Sequence, residues 1–136
     1  MIKSDAQRER TAAQIEGFRQ ALAKAEREIA GKRAAAVRGS YEGMIRQLED
    51  DMREYDELKS GALTLPNVDR LYQVAPFVAK IRIARGVSQT ELARRLGVSK
   101  QVISRYEETE YQTVSIGRLQ EILDAIGIKM LVTLSA

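Results

Sequence analysis

Apolar residues recur through the first sixty positions at steps of three and four: Ile15, Phe18, Leu22, Ala25 and Ile29, then Tyr41, Met44, Ile45, Leu48, Met52, Tyr55 and Leu58. This spacing returns each side chain to one face of a helix, and Arg, Lys, Glu and Gln fill the other faces. The pattern loosens around Gly31 and Gly39 and stops at Lys59-Ser60-Gly61, where glycine suits a C-cap. It predicts two helices of roughly 25 residues folded into an antiparallel hairpin over residues 1–60. The stripe is narrow, so the hairpin is expected to be a structural arm or to pack on a second copy or a partner.

Residues 61–75, GALTLPNVDRLYQVA, read as a linker. Pro66 breaks any continuous helix, and Asn67 can cap a short helix across Val68, Leu71 and Tyr72. Pro76 fits the first turn of a helix that continues over Phe77, Val78, Ile81, Ile83 and Ala84 to Gly86. Ser88 with Glu91 forms a capping-box pattern ahead of Leu92, Ala93 and Leu96. Gly97 stops that helix and Ser99 caps the next, which runs to about Glu107. Ser115 caps a last helix with Ile116, Leu119, Ile122, Leu123 and Ile126 inward, and Gly127 ends it. The period then changes: Ile128, Met130, Val132 and Leu134 alternate with Lys129, Leu131 and Thr133, which predicts a short strand. A lone strand has unpaired edges, so it is expected to pair with the same strand of a second copy and make those four residues a dimerisation element.

The stretch SQTELARRLGVSKQVISRYE, residues 88–107, would be one amphipathic helix without Gly97 and Ser99. Two short helices that share an apolar face but are split by a tight turn must meet at a steep angle, which is a helix-turn-helix. In that arrangement the second helix enters the DNA major groove with its first residues toward base edges. Lys100 can donate to guanine O6 and N7, and Gln101 can pair with adenine N6 and N7. Ser104 and Arg105 lie one turn on. Gln89 opens the preceding helix, where an amide and free N–H groups suit a phosphate.

The chain has 136 residues, enough for one domain with an appendage. It has no Cys and no His, which removes disulfides, thiolate metal sites, the commonest metal ligand and the commonest general base. No phosphate-cradling glycine-rich loop occurs, so an enzyme is not expected, nor is a metal or cofactor. Asp50-Asp51 and Asp56-Glu57 are carboxylate pairs, but on a charged helix they read as a solvated face. No run approaches a membrane span, and MIKSDAQRER lacks the apolar core of a signal peptide, so a cytoplasmic protein is expected. The net charge of +3 is uneven: residues 1–69 carry 12 basic and 13 acidic side chains, residues 70–136 carry 10 and 6. The positive excess sits with the helix-turn-helix pattern, as a polyanion partner requires.

The segments IRIARGVSQTELARRLGVSKQVISRYEE and GRLQEILDAIG resemble the lambda repressor/Cro-like (XRE) family of DNA-binding domains, and the resemblance covers residues 76–127. It implies a five-helix domain. It further implies that Gln89 anchors a phosphate, that Thr90, Ser99, Lys100, Gln101, Ser104 and Arg105 face DNA, and that Arg82 and Glu107 form a structural ion pair. The sequence departs from the family where a glycine usually follows the recognition helix: here the run is Glu107-Glu108-Thr109-Glu110-Tyr111. The hairpin ahead of the domain is similar to that of some antitoxin-like regulators. The expected architecture is mostly α: hairpin 1–60, linker 61–75, helix-turn-helix domain 76–127 and strand 128–136. The expected role is a homodimeric repressor of a palindromic operator on double-stranded DNA, with an antitoxin that also holds a toxin protein as the alternative.

Overall fold

The computed structural model describes residues 1–136, which divide into two compact units, 1–57 and 58–136.

The first unit is a helical hairpin. Helix α1 spans Asp5–Glu28 and α2 spans Lys32–Lys59. Ser4 caps α1 by accepting from the N–H of Gln7, and the Gln7 side chain accepts in turn from the N–H of Lys3 at 3.0 Å. The turn is tight: Ile29 leaves helical geometry and Gly31 takes φ +73°. Gly39 is not a break, because α2 runs through it. A helical glycine costs roughly 0.5–1 kcal/mol relative to alanine, too little to interrupt a helix of this length. Arg8 with Asp56 (2.6 Å), Arg38 with Glu26 (2.7 Å) and an Arg19–Glu49 pair bind the helices antiparallel. Arg8 holds the Asp56 carboxyl below its usual range. Tyr55 donates to Asp5 at 2.8 Å, and the rings of Phe18 and Tyr41 lie 6.1 Å apart. Of the five seam residues between Ile15 and Ile29 only Ile15 is buried; Phe18, Leu22 and Ala25 on α1 and Ile29 at its C-cap stay half-exposed. Two helices cover one another along a single line and leave the edges of that line open.

The second unit begins with extended chain and a 3-10 helix, Leu71–Phe77. The short helix expected from Asn67 is thus displaced toward the C-terminus. Its first turn is held by the Gln73 side chain, which accepts from the N–H groups of Asp69 and Arg70. Pro76 lies within this 3-10 helix, and α3 starts two residues later, Val78–Ala84. Then come α4, Gln89–Leu96, α5, Lys100–Glu108, and α6, Ile116–Ile126. Residues 76–127 therefore hold four α-helices in place of five, and turns join α5 to α6. Val78, Ile81, Leu92, Ala93, Ile103, Ile122 and Leu123 form the core where the four helices meet. No helix is long and apolar enough to cross a membrane.

The expected C-terminal strand is absent: residues 128–136 have no regular structure. A strand needs a neighbouring strand for its N–H and C=O groups, and the chain offers none. Gly127, at φ +84°, ends α6, and the N–H of Ile128 reaches back to Leu123 O at 3.0 Å. Ile128 and Met130 pack half-buried on the core, whereas Val132 is 62% and Leu134 92% exposed. The four residues expected to act as one dimerisation face are split between these two environments. Arg95 and Arg85 donate to the carbonyls of Ala125 (2.7 Å) and Gly127 (3.2 Å), placing two cations at the negative end of α6.

Candidate nucleic-acid interface

Local chemistry sets the two helices of the motif. Ser88 caps α4 by accepting from the N–H of Glu91 at 3.0 Å. The Glu91 carboxylate does not complete a capping box. It takes bonds from Arg94 (2.6 and 2.9 Å) and Arg95 (3.0 Å), whose guanidinium groups pull its pKa down to about 2. Gly97 ends α4 at φ +68°, ψ +30°, and the N–H of Val98 returns to Ala93 O. A Cβ at Gly97 would meet nothing within 4 Å, so the left-handed backbone alone makes glycine the fitting residue. Ser99 takes the extended N-cap conformation of α5, but its hydroxyl bonds no backbone N–H, so the first turn of α5 has no side-chain cap. Val98 packs half-buried against the core in the turn, and Ile103 anchors α5 at 0% exposure.

A buried polar cluster then holds α5 relative to α3 and α4. Arg82 meets Glu107 with two bonds, Nη2 to Oε1 at 2.7 Å and Nε to Oε2 at 3.0 Å, and its Nη1 donates to Val87 O at 2.8 Å. Gln89 Nε2 donates to Oε1 at 2.7 Å and the Tyr111 hydroxyl to Oε2 at 3.1 Å. Arg82 and Glu107 are 2% and 1% exposed, and no buried side-chain polar atom is left without a partner. Burial, reinforced by the Glu107 charge, pushes the Tyr111 phenol well above its usual pKa, so it remains a donor through the physiological range. Gln89 is buried at 8% exposure, and its amide already serves Glu107. The phosphate-anchoring role implied by resemblance would fall to a side chain already tied into this cluster.

The same cluster explains the missing glycine after α5. Glu110 and Tyr111 both adopt left-handed backbone, φ +52° and +58°. Each such residue costs about 1–2 kcal/mol. The Tyr111 ring, 1% exposed and 6.0 Å from that of Tyr106, offsets this through burial. Glu110 is exposed and has no such compensation. Glu110→Gly is therefore expected to raise stability by about 1 kcal/mol, the relief of a left-handed backbone less the entropy a glycine adds to the unfolded chain. Thermal denaturation checks this; an unchanged or lower Tm would mean that the backbone strain is not relieved.

Of the residues proposed to face DNA, Gln101 and Arg105 lie opposite Ile103 on α5, two positions to either side of it, and Lys100 and Ser104 lie at the borders of that face. Lys100, Gln101 and Arg105 are exposed and Ser104 is half-exposed, with Ser99 and Thr90 exposed beside them. Eight basic residues lie between positions 80 and 118. Arg82, Arg85, Arg94, Arg95 and Arg118 have acceptors in the fold, and Lys80 also has a partner. Lys100 and Arg105 alone have no hydrogen bond or ion pair. Glu108 continues the same face one turn after Ser104 and Arg105 and is exposed. A carboxylate at that position repels phosphate but can accept from cytosine N4. Of the three carboxylates in that run, Glu107 is turned inward.

Residues 78–132 match the family described as helix-turn-helix. This segment is a helix-turn-helix domain of the XRE type. The match begins at the first residue of α3 and ends in the tail, so the helix-turn-helix domain comprises α3 to α6 and the segment that packs back on them. The family is one of DNA-binding transcription regulators. No curated protein and no solved structure matches the chain.

Proposed function

We propose that the protein is a homodimeric repressor that reads a two-fold-symmetric operator with α5. One observation carries the DNA-reading part of this proposal: every other cation of the motif has a partner within the fold, whereas Lys100 and Arg105 are unpaired, flanking Gln101 at the uncapped start of α5. Unpaired cations beside a bidentate amide on a rigid helix are what base and phosphate contacts require. Repression follows from occupancy, since a protein seated on promoter DNA excludes polymerase. Selection of bound duplexes from a random library is expected to return a palindrome whose half-sites lie about 10 bp apart, one helical turn. An asymmetric or unenriched pool would remove the dimeric reading or the sequence-specific one, respectively.

The antitoxin reading is favoured by one separate feature. Leu131 and Leu134 are 96% and 92% exposed on extended chain whose N–H and C=O groups are open to another protein. Removal of residues 131–136 should then abolish capture of a toxin while leaving operator affinity unchanged.

A further inference from the structure

The hairpin has one occupied flank and one open flank. On α2, Arg38, Glu49 and Asp56 are taken up by Glu26, Arg19 and Arg8 of α1. The other flank carries Arg33, Ser40, Met44 and Asp51, spaced seven, four and seven residues apart, which keeps them in one line. Arg33 and Ser40 are exposed, and Met44 is 40% exposed. Arg33 has no hydrogen bond or ion pair, and Asp51 receives only a 3.2 Å bond from Gln47 on its own helix. The flank of α1 away from Arg8, Arg19 and Glu26 repeats the spacing with Arg10, Gly17, Ala21 and Glu28. Arg10 and Glu28 are exposed and have no partner.

Each line ends in opposite charges and is small or apolar at its centre. Such a line is complementary to itself when reversed. With α2 laid antiparallel on α2 of another copy, Arg33 lies across from the partner's Asp51 and Met44 across from the partner's Ser40, each contact made twice. The same two-fold axis sets α1 on α1, Arg10 across from the partner's Glu28 and Gly17 across from the partner's Ala21. The net charge of the hairpin selects this direction. Residues 24–46, around the turn, hold six basic and three acidic side chains; residues 1–10 and 47–57, at the other end, hold four basic and eight acidic. Antiparallel copies put the basic end on the acidic end, whereas parallel copies would put like on like.

We propose that the open flank of the hairpin is the dimerisation surface, on which a second copy of this chain docks antiparallel to form a four-helix bundle. This rests on the dimeric reading above and names where the two copies meet. It also accounts for the half-exposed seam at Phe18 and Leu22, which a second hairpin would cover.

The test is sedimentation of the full-length protein without DNA at micromolar concentration. The wild type is expected to be a dimer. Arg33→Glu and Asp51→Arg should each raise the dimer Kd about tenfold or more, since two exposed pairs become two repulsions. The chain carrying both changes should return to the wild-type Kd, which also shows that the single variants fold. Because the protein has no cysteine, an oxidised mixture of Ser40→Cys and Met44→Cys chains should yield a disulfide-linked heterodimer. A monomeric wild type would overturn the dimeric reading and this surface together. A wild-type dimer indifferent to Arg33→Glu would leave the dimeric reading standing and overturn the surface. Rescue of Arg33→Glu by Glu28→Arg, and not by Asp51→Arg, would overturn the antiparallel direction.

Discussion

Glu107→Ala is expected to destabilise the helix-turn-helix domain by about 3–5 kcal/mol, the cost of breaking one side of a buried pair. The size follows from what remains. Arg82, 2% exposed, would keep its charge and lose two of its acceptors, and the Gln89 amide and the Tyr111 hydroxyl would each lose the oxygen they serve. The same substitution at Glu108 or Glu110, both exposed, leaves no buried group unpaired and should fall within about 0.5 kcal/mol of wild type or on its stable side. Thermal denaturation of the three variants should therefore separate Glu107→Ala by on the order of 10 °C or more. A paired replacement, Arg82→Met with Glu107→Leu, should recover part of the loss, because it removes the stranded charge but leaves the Gln89 amide and the Tyr111 hydroxyl without their acceptor. Three equal melting temperatures would show that the cluster contributes nothing to the fold. The side effect on DNA is informative too: α5 is tied through Glu107 to α3 and to the start of α4, so loosening the cluster should weaken binding to every sequence alike.

Alanine at Lys100, Gln101, Ser104 and Arg105 together is expected to reduce affinity for the selected operator by at least about a thousandfold, toward the level for unrelated DNA. Each lost base contact is worth about 1–3 kcal/mol, and two half-sites double the count. The fold should survive, since Lys100, Gln101 and Arg105 are exposed and none of the four has a side-chain partner. Single variants should divide the roles. Gln101→Ala should relax the preference at one base pair per half-site. Where Lys100 meets a phosphate, Lys100→Ala should lower affinity evenly across sequences and reduce the salt dependence by about one unit per half-site. A quadruple variant with full helicity and undiminished operator affinity would show that another surface reads the DNA.

Much of this could be read along the chain because it is local. A helix boundary depends on a cap and a left-handed residue within a few positions, so Ser88, Gly97, Ser115 and Gly127 mark α4 and α6 in the linear sequence. The fault at Gly97-Val98-Ser99 already implied two helices at an angle, because residues on both sides of it carry the apolar face that must be buried. Which polar residues remain outside on α5 follows from the same periodicity. Where local signals competed, they misled. Asn67 marked a helix that the Gln73 side chain instead starts at Leu71, and alternation after Gly127 marked a strand for which the chain has no partner.

Other features depend on residues far apart in sequence, and only the tertiary structure decided them. Arg82 and Glu107 were named as a pair from resemblance alone. That Gln89 and Tyr111 close on the same carboxylate, or that Tyr111 accepts a left-handed backbone to do so, has no signature in spacing. The partners of the cations were equally hidden. Eight basic residues look alike in a charge count, but the fold directs Arg85 and Arg95 to the end of α6 and leaves Lys100 and Arg105 without acceptors. In the hairpin, periodicity marks the seam, but only the positions of Glu26, Glu49 and Asp56 show which flank α1 and α2 use on each other and which stays open. The physical reason is common to all of these. Caps, turns and amphipathic faces are set by short-range sterics and hydrogen bonding, whereas the pairing of a buried charge or a free cation is set by which helices the core brings together.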